Sequence, residues 1–331
     1  MKKIISLLLV AVFMLSVFSG CKKDAKPADT DKPAEKAVIR IGGLKGPTSM
    51  GLVKLMDDYE KGNAENSYSF KMATTGDELT PEFIKGELDI ISVPVNMGAV
   101  LYNKTKGNVK IAAVNTLGVL YIVTEDESIK SLKDLKGKTL YATGKGTTPE
   151  YALSYLLSKS GMTLGKDVKV EWKSEPTEIT AILSNEKNAV AMLPEPFVTV
   201  ACSKVKGLKS VISLTDEWEK LGAEGSFITA GLIVRKDFIE NHSEEFKTFL
   251  NEYSKSVDYI NGNTAEGGRL VEKYGIVKSQ IAEKAIPKCN ITFITGEEMK
   301  TAVKGYLSVL NGQNPSAVGG KLPDEDFYYD D

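Results

Sequence analysis

From residue 38 onward the chain alternates short apolar runs with stretches in which apolar residues recur every three or four positions. Residues 38–41 predict a buried strand, the loop GGLKGPTS follows, and residues 50–59 place Leu52, Val53, Leu55 and Met56 on one helical face. Residues 67–73 alternate as a second strand, and Thr80-Pro81-Glu82-Phe83 reads as a helix start with Pro in its first turn. Residues 90–94 (IISVP) are a buried strand, 99–103 helical, and 109–114 the next strand. After a β-rich run at 117–124 with a Gly inside it, the plan recurs. It gives a strand at 139–143, a Gly/Thr loop at 144–149, a helix to about residue 160, and a strand at 168–172. A helix at 179–185, a buried strand at 189–193 and a helix at 196–205 complete the repeat. A second β-rich run with an internal Gly spans 227–235, and helices at 244–261, 264–274, 279–285 and 296–311 close the chain. Strand and helix in alternation predict parallel βαβ units and an α/β fold.

The first 37 residues break this pattern. Lys2 and Lys3 precede an almost unbroken apolar run at 4–18, and Ser19, Gly20 and Cys21 follow. This is a signal-peptide layout at 1–20, with an apolar run short for a membrane span. Cys21 directly after Ser-Gly resembles a bacterial lipobox, although Phe18 stands where Leu or Val is usual. The resemblance implies a lipidated Cys21 and an extracytoplasmic protein held on the cell membrane, stably so with two or more acyl chains. The other reading is an ordinary secreted protein with an incidental Cys. Residues 22–37 (KKDAKPADTDKPAEKA) contain no large apolar residue, so 21–37 reads as the lipidated Cys and a flexible tether.

Composition narrows the function classes. The 331 residues carry 42 Lys+Arg against 44 Asp+Glu, and loss of Lys2 and Lys3 with residues 1–20 leaves 40 against 44. Without a basic excess, nucleic acid is not an expected partner. The length suggests about two domains. One His leaves little room for a His-based metal site or a Ser–His relay, and three Cys do not make a disulfide scaffold. Cys202 and Cys289 are either a disulfide or two small buried hydrophobes. His242, in a helix-start sequence, reads as a solvated surface residue. The acidic aromatic tail PDEDFYYDD lacks calcium-loop spacing and reads as solvated.

Two α/β halves joined by two Gly-bearing crossings suggest two lobes that close on a ligand, the second inserted into the first: 38–118 plus 228–331, and 119–227. At this point the chain resembles the substrate-binding component of an ABC importer, in the nitrate/sulfonate/taurine-type and thiamine-pyrimidine-precursor-type group with the type II periplasmic-binding-protein fold. The stretches that carry the resemblance are IRIGGLKGPTSM (39–50), IKGELDIISVP (84–94), SLKDLKGKT (131–139), NAVAMLPEPF (188–197) and LIVRKDF (232–238). It implies a ligand at the C-terminal ends of the parallel strands of both lobes, in line with the rule for open α/β sheets.

Four loops follow from this. Lys45, Gly46, Thr48, Ser49 and Met50 precede the first helix, where free N–H groups and hydroxyls can cradle an anion or a carbonyl oxygen, or simply cap the helix. Ser92 and Asn96 end a buried strand, and Asn96 serves either a ligand or a turn. Lys145, Gly146, Thr147 and Thr148 form a Gly-containing loop before a helix and lack the spacing of a P-loop. Glu195, between two prolines, faces the cleft in the resembling family and could accept an N–H, or it favours a helix start. Tyr121 stacks on a planar ligand or packs at the hinge.

The expected function is therefore capture of a small organic solute and delivery to a membrane permease, by a monomer with no cofactor, metal or catalytic residue. An enzyme on the same fold would need a nucleophile elbow or a placed base, and none is visible. A ligand sensor that presents its closed form to a membrane receptor is the alternative. Loops at helix starts favour a sulfonate- or carboxylate-like oxyanion, whereas Arg40, Arg235 and Arg269 all lie off the four loops, which weakens a strongly anionic ligand and leaves a heteroaromatic vitamin precursor as its rival.

Overall fold

The computed structural model describes residues 37–222 and 225–330, and these described residues form one compact unit. The signal segment, Cys21 and the tether up to residue 36 lie outside the described residues. The strands are β1 (Val38–Leu44), β2 (Ser67–Ala73), β3 (Ile90–Pro94), β4 (Val109–Leu117), β5 (Leu120–Thr124), β6 (Thr139–Ala142), β7 (Lys169–Trp172), β8 (Val190–Pro194), β9 (Lys209–Ser213), β10 (Ile228–Arg235) and β11 (Ile291–Ile294). The helices are α1 (Pro47–Met50), α2 (Val53–Glu60), α3 (Gly76–Lys85), α4 (Val95–Lys104), α5 (Thr148–Lys159), α6 (Pro176–Asn185) and α7 (Phe197–Lys204). They continue with α8 (Leu214–Lys220), α9 (Lys236–Asn241), α10 (Ser243–Gly262), α11 (Thr264–Lys273), α12 (Ser279–Ala285) and α13 (Gly296–Gln313).

Two mixed sheets share one plan. The first runs β11-β4-β10-β3-β1-β2 and the second β7-β6-β8-β5-β9. In each, three parallel strands (β2-β1-β3 and β7-β6-β8) are followed by an antiparallel one, β10 or β5. The parallel units expected from the sequence are present in both sheets, each with an antiparallel strand beside them. The chain enters each lobe along β5 or β10, and the entering strand lies beside the buried third strand, which has apolar residues on both faces.

The first crossing is two strands, not one, broken at Gly118-Val119. A side chain at Gly118 would sit 2.3 Å from both Phe227 and Thr215, so only glycine fits where the crossing strands pack. The Pro81 reading is also corrected. Helix α3 starts at Gly76, because Thr75 and Glu78 form a capping box in which Glu78 accepts the Thr75 N–H at 2.9 Å. Pro81 then lies inside the helix.

One apolar cluster joins both lobes. Ile91 and Val93 of β3, Leu140 of β6, Leu153 and Leu156 of α5, and Tyr306 and Leu310 of α13 belong to it. Trp218 stacks on Phe227 at 5.4 Å and lies 5.9 Å from Tyr306. The C-terminal tail is docked rather than solvated. Phe327 and Tyr328 are buried, and the Tyr329 N–H donates to Ile111 O at 2.9 Å beside β4. Asp326 pairs with Lys110 and Lys236, and Glu325 with Lys304 and Lys300. Aromatic burial and paired carboxylates offset the cost of ordering the tail. His242 is half-buried, its ring 5.3 Å from that of Phe238. Cys202 and Cys289 carry free thiols. Among the described residues no helix is long and apolar enough to cross a membrane.

Candidate functional site

The third strand of each sheet ends in proline. Pro94 pairs with Ala230 of the entering strand β10, and Pro194 with Leu120 of the entering strand β5. A proline has no N–H to donate, so each of these strand ends lacks that ladder donor. Between these two ends lies a cavity of about 300 Å³. Pro94, Asn96 and Met97 line one side, Val119, Leu120, Thr147, Thr148, Pro149 and Pro194 the other, and Phe227 and Thr229 complete it. None of these side chains is charged.

Of the predicted residues, the structure brings Asn96, Thr147 and Thr148 to this cavity. Thr148 Oγ1 donates to Asn96 Oδ1 at 3.3 Å, a long bond between the two lobes. Asn96 Nδ2 donates to Ala317 O at 3.1 Å. Thr147 Oγ1 donates to Gly144 O at 2.7 Å and closes the turn before α5. Gly146 lines an adjoining hollow of about 320 Å³, which shares Asn96, Met97 and Thr147 with the cavity. Lys145 is exposed.

The other predicted residues lie off the cavity wall. Lys45 is exposed, Gly46 holds φ at 132°, and Thr48, Ser49 and Met50 are buried. Ser92 Oγ donates to Thr48 O at 2.6 Å and accepts from Asn115 Nδ2 at 2.6 Å, and the same Nδ2 donates to Thr48 O at 3.2 Å. This buried triad pins the first loop to β3 and β4. Tyr121 donates its hydroxyl to Lys288 O at 2.9 Å and packs its ring in the second lobe. Glu195 is buried, and its carboxylate accepts the N–H of Thr199 at 3.1 Å and its hydroxyl at 3.0 Å, which caps α7. Burial pushes the Glu195 carboxyl above its ordinary value, against the hydrogen bonds from Thr199 and the charge of Lys288.

The apolar wall is what reasoning from the sequence missed. The repeated strand endings ISVP and AMLP carry a signal for it, since they put a proline at the same point of each sheet. Val119, Leu120 and Phe227 carry none, because an apolar run looks the same whether it faces the core or a cavity. A larger hollow of about 440 Å³ includes Phe83, Ile84, Lys104, Arg235 and Asp237. It lies at the N-terminal end of β3, where Val234 pairs with Ile90, and Arg235 there is ion-paired with Asp237. Strand-end geometry therefore favours the smaller cavity. Among the described residues no three His, Cys, Asp or Glu side chains converge as metal ligands.

Comparison with known proteins bears on the fold and on the proteins this chain is similar to. Residues 109–266 match the family model described as NMT1/THI5 like. An ABC transporter protein from Parabacteroides distasonis has 25% identity and a TM-score of 0.73, the match covering 88% of this chain and 99% of that one. The periplasmic aliphatic sulphonate binding protein SsuA from Escherichia coli has 17% identity and a TM-score of 0.68, over 87% and 92% of the two chains. A binding protein of Brucella melitensis is 24% identical over 213 residues, 63% of this chain, and the match spans 64% of the relative's own length. The fold is the two-lobed type II periplasmic-binding-protein fold, and these findings match the family resemblance seen in the sequence. The relatives are described as transport and binding proteins, not as enzymes.

Proposed function

We propose that this chain is the substrate-binding component of an ABC importer. It works outside the cytoplasmic membrane as a monomer anchored through Cys21, captures a small organic solute by closing lobe 119–227 on lobe 38–118 plus 228–331, and delivers it to the permease. The observation that carries this reading is the cavity between the two proline-ended strands, with hydrogen-bonding side chains from both lobes at its wall. A ligand drives closure only by binding the closed state better than the open one, so it needs contacts from both lobes. Asn96 and Thr148 supply one each.

The lining favours an uncharged, flat, largely apolar solute over an oxyanion. Seven of its residues are apolar, and a charge placed among them would lose its hydration without a counter-charge. Glu150 accepts the Gly146 N–H at 2.5 Å, which sets a carboxylate in the first turn of α5, where an anion would otherwise be drawn by the helix dipole. A heteroaromatic ring with a donor and an acceptor on one edge suits the cavity. The sulphonate-binding relative supports the oxyanion as a second reading.

A thermal-shift screen on the full chain tests both, with pyrimidine and thiamine precursors set against alkylsulfonates and nitrate. A ligand at a hundred times its dissociation constant adds about 2.7 kcal/mol to stability. A shift with an uncharged heteroaromatic compound, lost in Thr148→Val, is the expected result. A shift only with sulfonates overturns the ligand class, and no shift across a broad solute panel overturns the receptor reading.

A further inference from the structure

The segment that follows α13 touches both sides of the proposed site. On one side, Ala317 O accepts from Asn96 Nδ2 at 3.1 Å. On the other, Asn314 Nδ2 donates to the hydroxyl of Tyr151 at 2.9 Å, and that hydroxyl donates to Gly146 O at 2.8 Å. The segment is itself stiff. Asn314 Oδ1 accepts from the N–H and the hydroxyl of Ser316 at 3.1 and 2.8 Å, and the Ala317 N–H donates to Asn314 O at 2.9 Å. Helix α13 carries it against the second lobe through Tyr306, which is fully buried and packed on Trp218 and Phe227.

We propose that residues 314–317 form an interlobe clasp, in which Asn314 and Tyr151 are positioning residues for the loop at 144–147 and Ala317 positions Asn96. The placement supports this directly. Gly146, Tyr151 and Ala317 line the outer hollow, and Asn96 and Thr147 line both it and the inner cavity, so the clasp stands where the two spaces meet. A peptide carbonyl and an amide side chain, three residues apart on one rigid turn, then fix the distance between the two loops that present Asn96 and Thr148. The purpose of the clasp rests on the binding reading above; its existence does not.

The test therefore uses no solute. Hydrogen exchange is followed by mass spectrometry on the full chain and on Tyr151→Phe, Asn314→Ala and the double variant. Asn314→Asp is added because it keeps the acceptor for Ser316 while removing the donor to Tyr151. Loss of the Asn314–Tyr151 hydrogen bond, the one bond that every variant removes, predicts amide exchange about fivefold faster in residues 144–150 in each single variant. The double variant is expected to be no faster than the singles, because both break one relay, with residues 169–172 and 243–262 unchanged. Unchanged exchange at 144–150, additive effects, or acceleration spread evenly over the chain overturns the clasp. Such a result leaves the solute reading intact, and an empty solute screen leaves the exchange result standing.

Discussion

The triad of Ser92, Asn115 and Thr48 gives a stability prediction that separates scaffold from ligand contact. In Ser92→Ala two buried bonds vanish: the hydroxyl's donation to Thr48 O and its acceptance from Asn115 Nδ2, both 2.6 Å. Neither partner is orphaned, because Asn115 Nδ2 still reaches Thr48 O at 3.2 Å. The loss is then about 1 kcal/mol per net bond, or about 2 kcal/mol, without the full penalty of a buried unpaired group. Asn115→Ala removes these two Nδ2 bonds together with the long, weak donation from Thr116 Oγ1 to Asn115 Oδ1 at 3.3 Å, and leaves a small void, for about 3 kcal/mol in all. The double variant should cost about 4 kcal/mol rather than 5, since the Ser92–Asn115 bond is lost only once. A melting entropy of about 2.1 cal/mol/K per residue over this compact unit gives about 0.6 kcal/mol/K, so Ser92→Ala should melt about 3 °C lower. Calorimetry on the solute-free protein reads all three variants. If Ser92→Ala melts within about 1 °C of the wild type and loses only solute binding, Ser92 is a ligand contact and the scaffold argument is refuted.

Truncation before residue 324 removes the buried rings of Phe327 and Tyr328 and should cost more than about 5 kcal/mol, enough to abolish a cooperative melt. A truncated chain that melts within about 3 °C of the wild type contradicts the docked tail. The Glu195 carboxyl is raised by burial above its ordinary value near 4.5. Its favourable contribution is therefore complete below that value and declines as pH rises through the folded one. Glu195→Gln keeps an acceptor for Thr199 and should gain melting temperature relative to the wild type between pH 4 and 7. A constant difference across that range removes the burial argument. Asp126, held at about 2 by Ser128 and Lys138, and Glu272, held at about 2 by Lys278 and Ser279, act in the opposite sense. Their contributions are present above pH 4 to 5 and disappear as pH falls toward 2, so Asp126→Asn with Glu272→Gln should flatten the acid limb of the melting curve.

The alternation of apolar runs made the α/β class and the two buried strands legible, at 90–94 and, one residue early, at 189–193, because a strand covered on both faces is mostly apolar. The sheet order was not legible. Whether β10 lies antiparallel between β3 and β4 depends on pairing across more than a hundred residues, which no local periodicity encodes. The tail shows the same limit. Phe327 and Tyr328 are buried only because β4 leaves a free edge at Ile111, and that edge is a product of the assembled sheet.

At the site, turn chemistry identified the polar residues and strand depth decided among them. Asn96 and Thr148 stand in the first turns of α4 and α5 and face the cavity, whereas Ser92 lies two residues before the strand end, about 7 Å further down, and serves the first loop. Pro94 and Pro194 themselves bring no backbone donor to the cavity. On the proposed reading, recognition rests first on two side chains, one from each lobe, joined to each other at 3.3 Å. A bond that long is weak, so a solute edge carrying both a donor and an acceptor can replace it at little cost and gain two shorter bonds. On the proposed reading, that exchange is what makes closure depend on the solute: the apolar walls supply affinity to any ring of the right thickness, and the Asn96–Thr148 pair admits only one whose edge completes both partners at once.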